Sequence, residues 1–477
     1  MARTHEAGAM HSPGNASVAI VPNWLRAPGD VNELLPQLWA SSVVRGNDGA
    51  LRVGGVDVRD LAAEHGTPAY VLDEVDFRGR ATAFRDAFRD AFADLCGGAD
   101  VYYAAKTFLC TGVVRWLAED GLNLDVASGG EFATGLRGGM PAGRMVFHGN
   151  NKSAAELREA LTAGIGRIVV DNLGEVDLLA DIAGELGATA DVMLRVTVGV
   201  EAHTHSYIAT AHEDQKFGLS LSSGTAEEAA AAVLRRPELR LLGFHSHIGS
   251  QIFDTGGFEV AARRILGLTA RVRREHGAEV PEVDLGGGFG IAYTSEHDPL
   301  TPADLARHLA AIVERECRAE GIDCPKVSVE PGRAIAGPST FTLYEAGAVK
   351  DVELDGGARR RYVSVDGGMS DNIRTALYDA DYSATLASRR SGAEAVLSRV
   401  VGKHCESGDV VVKDEFLPSD LGAGDLVAVP GTGAYCRSMA SNYNHVLKPP
   451  VIAVRDGVAR PLLRRETLQD LFALDVG

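Results

Sequence analysis

Val101-Tyr102-Tyr103-Ala104-Ala105-Lys106 is an apolar run closed by a lysine, and it is the first of a series. Seven more runs follow: Leu122–Val126, Met145–His148, Arg167–Asp171, Asp191–Thr197, Leu241–Ile248, Val283–Leu285 and Val327–Glu330. Between them Ala154–Ala163, Leu173–Leu186, Ala226–Arg235, Phe258–Glu275 and Pro302–Ala319 read as helices. Several runs are nearly continuous in Val, Leu and Ile, as expected when helices cover a parallel sheet. Eight such strands with intervening helices in about 230 residues predict an α/β fold, a (β/α)8 barrel of the TIM type. An open doubly wound sheet needs the same alternation, but the GxGxxG turn that should follow its first strand is absent.

Past residue 336 the pattern changes. Leu343–Leu354, Arg361–Val365, Val410–Lys413, Leu426–Pro430 and Val451–Val454 read as strands divided by Gly, Asp and Pro turns, predicting a C-terminal all-β domain over 337–477. Ser41–Val58 has the same character, so 37–68 is expected to join that domain. This leaves 69–336 as the barrel, with the helical signal at Ala81–Leu95 at its entrance, and 1–36 as a flexible tail. The tail lacks the basic start and apolar stretch of a signal peptide, and nowhere do eighteen apolar residues run together. A cytoplasmic protein without a membrane span is expected. A net charge of −18 argues against nucleic acid or an anionic membrane as partner, but leaves room for an anionic small molecule in a locally basic pocket. The six cysteines (96, 110, 317, 324, 405 and 436) form no CxxC pair and no disulfide-framework spacing, so reduced thiols are expected.

Catalytic groups of such barrels collect at the C-terminal ends of the strands, and the unusual residues fall there. A lysine such as Lys106 is ordinarily a solvated strand end; partly buried, its amine can form an imine with an aldehyde. The seventh run ends in Gly286-Gly287-Gly288-Phe289-Gly290, whose exposed backbone N–H groups can turn around a phosphate. The eighth ends in Glu330-Pro331-Gly332-Arg333: the carboxylate suits a protonated pyridine nitrogen, and the guanidinium a carboxylate or phosphate. His245-Ser246-His247-Ile248-Gly249-Ser250-Gln251 offers an imidazole to stack on a flat ring and Ser250 to donate to a phosphate.

In the β-domain, Lys403-His404-Cys405-Glu406-Ser407-Gly408-Asp409 holds a thiol suited to proton donation and a glutamate suited to accepting from an ammonium. Gly431-Thr432-Gly433-Ala434-Tyr435 points a phenol from a turn, and Asp366–Arg374 with Tyr378 supplies another cation and phenol. No metal is expected. His404 and Cys405 are adjacent and rarely would both reach one ion, and His203, His205 and His212 have no cysteine or fixed ligand spacing beside them.

In order and spacing YAAK (103–106), HSHIGSQ (245–251), GGGFG (286–290), EPGR (330–333), HCESGD (404–409) and GTGAY (431–435) resemble the diaminopimelate decarboxylases. These are alanine-racemase-like, fold-type-III pyridoxal-phosphate enzymes, and the actinobacterial branch is the most similar, from about residue 37 onward. Thr107-Phe108-Leu109 departs from the Ala/Ser-Asn of the wider superfamily and matches that branch. The resemblance implies that Lys106 carries pyridoxal 5'-phosphate as a Schiff base and that His247 stacks on its ring. Ser250, Gly287 and Gly288 would hold the phosphate, Glu330 would keep the pyridine nitrogen protonated, and Gly332 and Arg333 would line the cofactor. Arg333, Arg374 and Tyr378 would grip substrate carboxylate, Glu406 the distal ammonium, and Tyr435 cofactor or substrate. Lys106, His247 and Cys405 are the implied catalytic residues. Cys405 would reach the active site of the neighbouring subunit of a homodimer and, with Lys106, return a proton to the α-carbon.

The implied reaction is decarboxylation of meso-2,6-diaminopimelate at its D-centre to L-lysine and CO2, the last step of lysine biosynthesis. An ornithine, lysine or arginine decarboxylase would meet a cationic tail without a distal carboxylate, for which two arginines are poorly suited. A racemase would not need the distal recognition set. A non-catalytic relative is disfavoured by the presence together of Lys106, Glu330 and Cys405.

Overall fold

The computed structural model describes residues 21–199, 216–354, 357 and 359–477; His203, His205, His212 and the first twenty residues of the tail lie outside them. The chain divides into two compact units. One comprises Arg78–Gly290 and Pro299–Ile335; the other comprises the described residues up to Phe77, Ile291–Asp298 and Ala336–Gly477.

In the first unit the strands are Asp100–Ala104, Asn123–Val126, Met145–Phe147, Arg167–Val170, Ala190–Thr197, Leu239–His245, Glu282–Asp284 and Lys326–Val329. Each pairs in parallel with the next, and the eighth closes on the first through Ser328 opposite Asp100 and Val329 opposite Val101. All eight expected runs are therefore strands of one closed barrel. Tyr102, Val146, Val169, Met193 and Leu242 pack as a buried cluster contributed by five of these strands.

Four of the barrel helices start where the sequence caps them. Ser128, Ser153, Asn172 and Thr301 each accept the backbone N–H three residues on, and Glu156 completes a capping box with Ser153. A cap of this kind stabilises a helix by about 1 kcal/mol, enough to fix where the chain turns after a strand. Phe289 anchors the glycine loop: its ring stacks on Phe84 at 5.8 Å and on Phe258 at 5.3 Å.

The second unit is built on a mixed sheet. Its strands run in the order Val410–Pro418, Ala395–Val401, Arg359–Val365, Thr340–Glu353, Ala69–Asp73, Val451–Arg455 and Val458–Leu463, and Leu426–Pro430 also pairs with Thr340–Glu353. Val44–Arg45, Leu51–Val53 and Val56–Asp57 form a small antiparallel sheet that buries Leu51 and Val53 against Leu343, Ile452 and Val454.

One segment departs from the sequence reading. Ala69–Asp73, read there as the start of the barrel, pairs antiparallel with Thr340–Leu343 and parallel with Val451–Val454, so the barrel unit begins at Arg78. All five of its residues are buried, and an apolar run of that length suits a central strand of either sheet. No described helix is long and apolar enough to cross a membrane.

Gly243 lies at a register irregularity of the sixth barrel strand, two residues before His245, and a Cβ there would sit 1.8 Å from the Glu282 carbonyl oxygen. Gly243→Ala is expected to destabilise the protein by about 1–3 kcal/mol, read as a lower denaturant midpoint. An unchanged midpoint would show that the two strands part freely.

Candidate active site

Lys106 sits two residues past the first barrel strand on the short 3-10 turn Ala105–Thr107, with its side chain exposed. The turn after the eighth strand packs against it: a Cβ on Gly332 would lie 2.6 Å from Thr107 Cγ2 and 2.8 Å from Ala104 Cβ. Only glycine lets the two strand ends approach so closely. Lys152 is the instructive contrast. It is buried, and its ammonium lies 2.7 Å from Glu175 Oε1 and donates at 2.7 Å to each of the carbonyls of Gly149 and Val169. With three donors and three acceptors it is a structural lysine.

The glycine loop is wedged between the neighbouring turns. A Cβ on Gly287 would meet the Glu330 carbonyl oxygen at 2.2 Å, and one on Gly288, at φ +100°, the Gly249 oxygen at 2.2 Å. Gly287 N donates to His247 Nδ1 over 3.3 Å, which orients the half-buried imidazole. Burial, reinforced by Lys106 and Arg195, holds His247 well below the usual histidine range, so its ring is neutral. Arg333, itself buried, donates through Nη2 to Ser250 Oγ at 2.8 Å. The barrel unit thus gathers Lys106, His247, Ser250, Gly287, Gly288, Glu330, Gly332 and Arg333 at the C-terminal ends of its strands.

Around Glu330 lies a layer of buried ionisable groups. Glu330 Oε1 is 2.8 Å from His148 Nε2, and Oε2 is 3.4 Å from His245 Nε2; the two imidazoles meet edge to face at 4.8 Å. Asp125 Oδ1 is 3.7 Å from His148 Nε2. Asp284 accepts from Ser328 Oγ at 2.5 Å and from Gly286 N at 2.7 Å. His148 and Asp125 carry no motif signature, and His245 stood in the sequence only as a neighbour of His247. Their signal was positional: a polar residue in the last places of an otherwise apolar barrel strand.

The second unit assembles the other expected residues. Arg374 is buried on the short helix Arg374–Tyr378; Nη1 donates to Tyr382 OH at 2.5 Å, and its guanidinium lies 4.8 Å from the Tyr293 ring centroid. Among the described residues Arg374 has no carboxylate partner, and its Nε has no hydrogen-bond partner. Tyr293 and Tyr382 were not singled out from sequence. Asp409 ties the two polar loops together, accepting from Met369 N at 2.6 Å and His404 N at 2.7 Å. His404 Nε2 lies 2.8 Å from Ser370 Oγ, and Asn444 Oδ1 accepts from Cys405 N at 3.2 Å. This scaffold presents Cys405 and Glu406 as an exposed tip, while Tyr378 and Tyr435 are half-buried.

Pyridoxal phosphate fits the barrel residues: an exposed lysine, a glycine cradle whose close packing leaves room for no Cβ, a neutral imidazole, and a carboxylate paired with two imidazoles. The fold and this set define a pyridoxal-dependent decarboxylase: residues 81–337 match the family model described as pyridoxal-dependent decarboxylase, pyridoxal binding domain. The chain is 52% identical to the diaminopimelate decarboxylase of Mycobacterium leprae over 99% of both chains. It is 54% identical to that of Mycobacterium tuberculosis, over 94% of this chain and all of the relative. The structure superposes on the crystal structure of the M. jannaschii diaminopimelate decarboxylase in complex with L-lysine with a TM-score of 0.85, at 30% identity, covering 92% of this chain and 98% of that one. The chain belongs to the diaminopimelate decarboxylase family, whose cofactor is pyridoxal phosphate.

Burial, with Glu330 beside it, pushes the Asp284 carboxyl up to about 8 from an ordinary 3.8. A group raised in this way stabilises the folded state fully below its unfolded pKa, and that contribution is lost as pH rises through the folded value. Asp284→Asn, which stays uncharged, is therefore expected to gain stability relative to the parent between pH 5 and pH 8, on the order of 3–4 kcal/mol. Unfolding of the apoprotein across that range measures it; parallel curves would show that Asp284 is ionised throughout.

Proposed function

We propose that this chain decarboxylates meso-2,6-diaminopimelate at its D-centre to give L-lysine and CO2, in the cytoplasm, as a homodimer whose active sites are completed by the partner. The observation that carries the substrate assignment is Arg374, a buried guanidinium with no carboxylate partner among the described residues. A buried cation is costly without an anion, so an anionic group of the ligand is its natural counter-charge. A substrate whose tail ends in a carboxylate as well as an amine supplies it; lysine, ornithine and arginine do not.

Pyridoxal phosphate supplies the electron sink for the charge left when CO2 departs. Lys106 would hold it through its amine, with Ser250, Gly287 and Gly288 at its phosphate and Gly332 and Arg333 alongside. The neutral ring of His247 provides a flat face for stacking. Glu330, as an anion, favours a protonated pyridine nitrogen. Arg333, Arg374 and Tyr378 bind the distal carboxylate and Glu406 the distal ammonium, which leaves the D-centre as the one presented for reaction. Tyr435 closes on cofactor or substrate. Cys405 of the neighbouring subunit delivers the proton to the α-carbon, with Lys106 as the alternative donor. The exposure of the Cys405–Glu406 tip, held from behind by Asp409 and Asn444, supports that assignment.

Release of CO2 from meso-diaminopimelate is expected to exceed that from the LL and DD isomers and from lysine, ornithine and arginine. Faster release from lysine or ornithine overturns the substrate assignment. Cys405→Ala is expected to slow turnover by about 10²- to 10⁴-fold with the cofactor still bound. Lys106→Ala is expected to lose the visible absorbance of the lysine-bound cofactor. Mixed in equal amounts after dissociation, the two inactive variants are expected to recover about a quarter of the parental activity through hybrid dimers. No recovery would place both residues of each site on one subunit.

A further inference from the structure

We propose that His148 and His245 are positioning residues that clamp Glu330 from both of its carboxylate oxygens and keep it the anion of the buried layer. This deepens the reading of Glu330 given above and rests on it.

Asp125, His148, Arg195, His245, His247 and Asp284 are among the ionisable side chains that share the barrel end with Glu330. Water is excluded from most of them, so few charges can persist there. The distances decide which carboxylate keeps its charge. Glu330 has one imidazole nitrogen at 2.8 Å and a second at 3.4 Å, one for each oxygen. Asp125 has only His148, at 3.7 Å, and Asp284 is met by a hydroxyl and a backbone amide.

The directions of the shifts follow that geometry. Burial would raise Glu330, but His148 and His245 outweigh it and hold the carboxyl well below its usual range. Burial raises both Asp125 and Asp284. His148 is raised against its own burial by Asp125 and Glu330, whereas burial takes His245 down to about 4. Glu330 with His148 is thus the shortest pair of the layer, and His245 serves as a neutral donor to the other oxygen. Arg195 is drawn to the other side, 3.9 Å from Asp171 and stacked 4.3 Å from the Phe217 centroid.

The consequence concerns the pyridine nitrogen. A glutamic acid buried here without the imidazoles would be neutral and could not favour a pyridinium. Supplying the anion by a clamp rather than by solvent also fixes the plane of the carboxylate, since both oxygens are tethered. Among the described residues the side-chain partners of these two histidines are Glu330, Asp125 and each other, so they act through Glu330.

The test compares His148→Gln, His245→Gln, Glu330→Gln and the double variant His148→Gln/Glu330→Gln in the full chain. Loss of the ion-pair partner 2.8 Å from the carboxylate predicts that His148→Gln lowers kcat by about 10- to 100-fold with little change in KM. Affinity of the apoprotein for pyridoxal phosphate should fall with it, and the pH titration of the bound cofactor's visible absorbance should shift in the same direction as for Glu330→Gln. Because His148 acts through Glu330, the double variant should be no slower than Glu330→Gln alone. Losses that multiply, or a His148→Gln titration that matches the parent, would overturn the clamp. If Glu330→Gln itself leaves rate and spectrum unchanged, the role given to Glu330 falls, and the clamp with it. Should His148→Gln fail to fold, His245→Gln carries the test: a smaller loss with the same spectral shift is expected, and parental behaviour contradicts it.

Discussion

Closure of the barrel, through Ser328 opposite Asp100 and Val329 opposite Val101, is the constraint on which the site depends. Parallel pairing fixes the ends of adjacent strands at one level. It therefore sets Glu330, one residue past the eighth strand, beside the turn that carries Lys106 after the first. Gly332 makes that neighbourhood close, because a side chain there would strike Ala104 and Thr107. The same closure brings the ends of the third and sixth strands to Glu330, so His148 and His245 reach it from segments far apart in sequence.

Two kinds of buried charge follow from this architecture. Lys152 is neutralised by Glu175 and has its donors satisfied by protein, so it locks a loop and offers nothing to a ligand. Arg374 is the opposite case: phenols surround it, which fix its position without cancelling its charge. A charge left uncompensated by protein is the physical sign of a ligand of opposite sign. Glu330 lies between these extremes, flanked by two imidazoles that hold its carboxyl well below the usual range.

Much of this was legible in the sequence, for reasons that differ by element. The eight barrel strands announced themselves because both faces are buried, one under helices and one in the barrel interior, which leaves short, nearly continuous apolar runs between helical patterns. Ala69–Asp73 misled because its partners, Thr340–Leu343 and Val451–Val454, are remote, and five buried residues look alike in either sheet. Ala395–Val401 and Val458–Leu463 were passed over because polar residues interrupt the apolar pattern in both. Lys106, the glycine loop and the Glu330–Arg333 turn stood out because unusual residues fell at strand ends. His148, Tyr293 and Tyr382 did not, since each matters through contacts that only the closed fold creates.

The central claim is that Lys106, and not another lysine of the barrel, bears the cofactor. Borohydride reduction of the pyridoxal-phosphate-loaded protein, followed by peptide mass mapping, tests it most directly. The account predicts a single phosphopyridoxyl group on the peptide that contains Lys106. Label on Lys152 or any other lysine, with Lys106 unmodified, would contradict it.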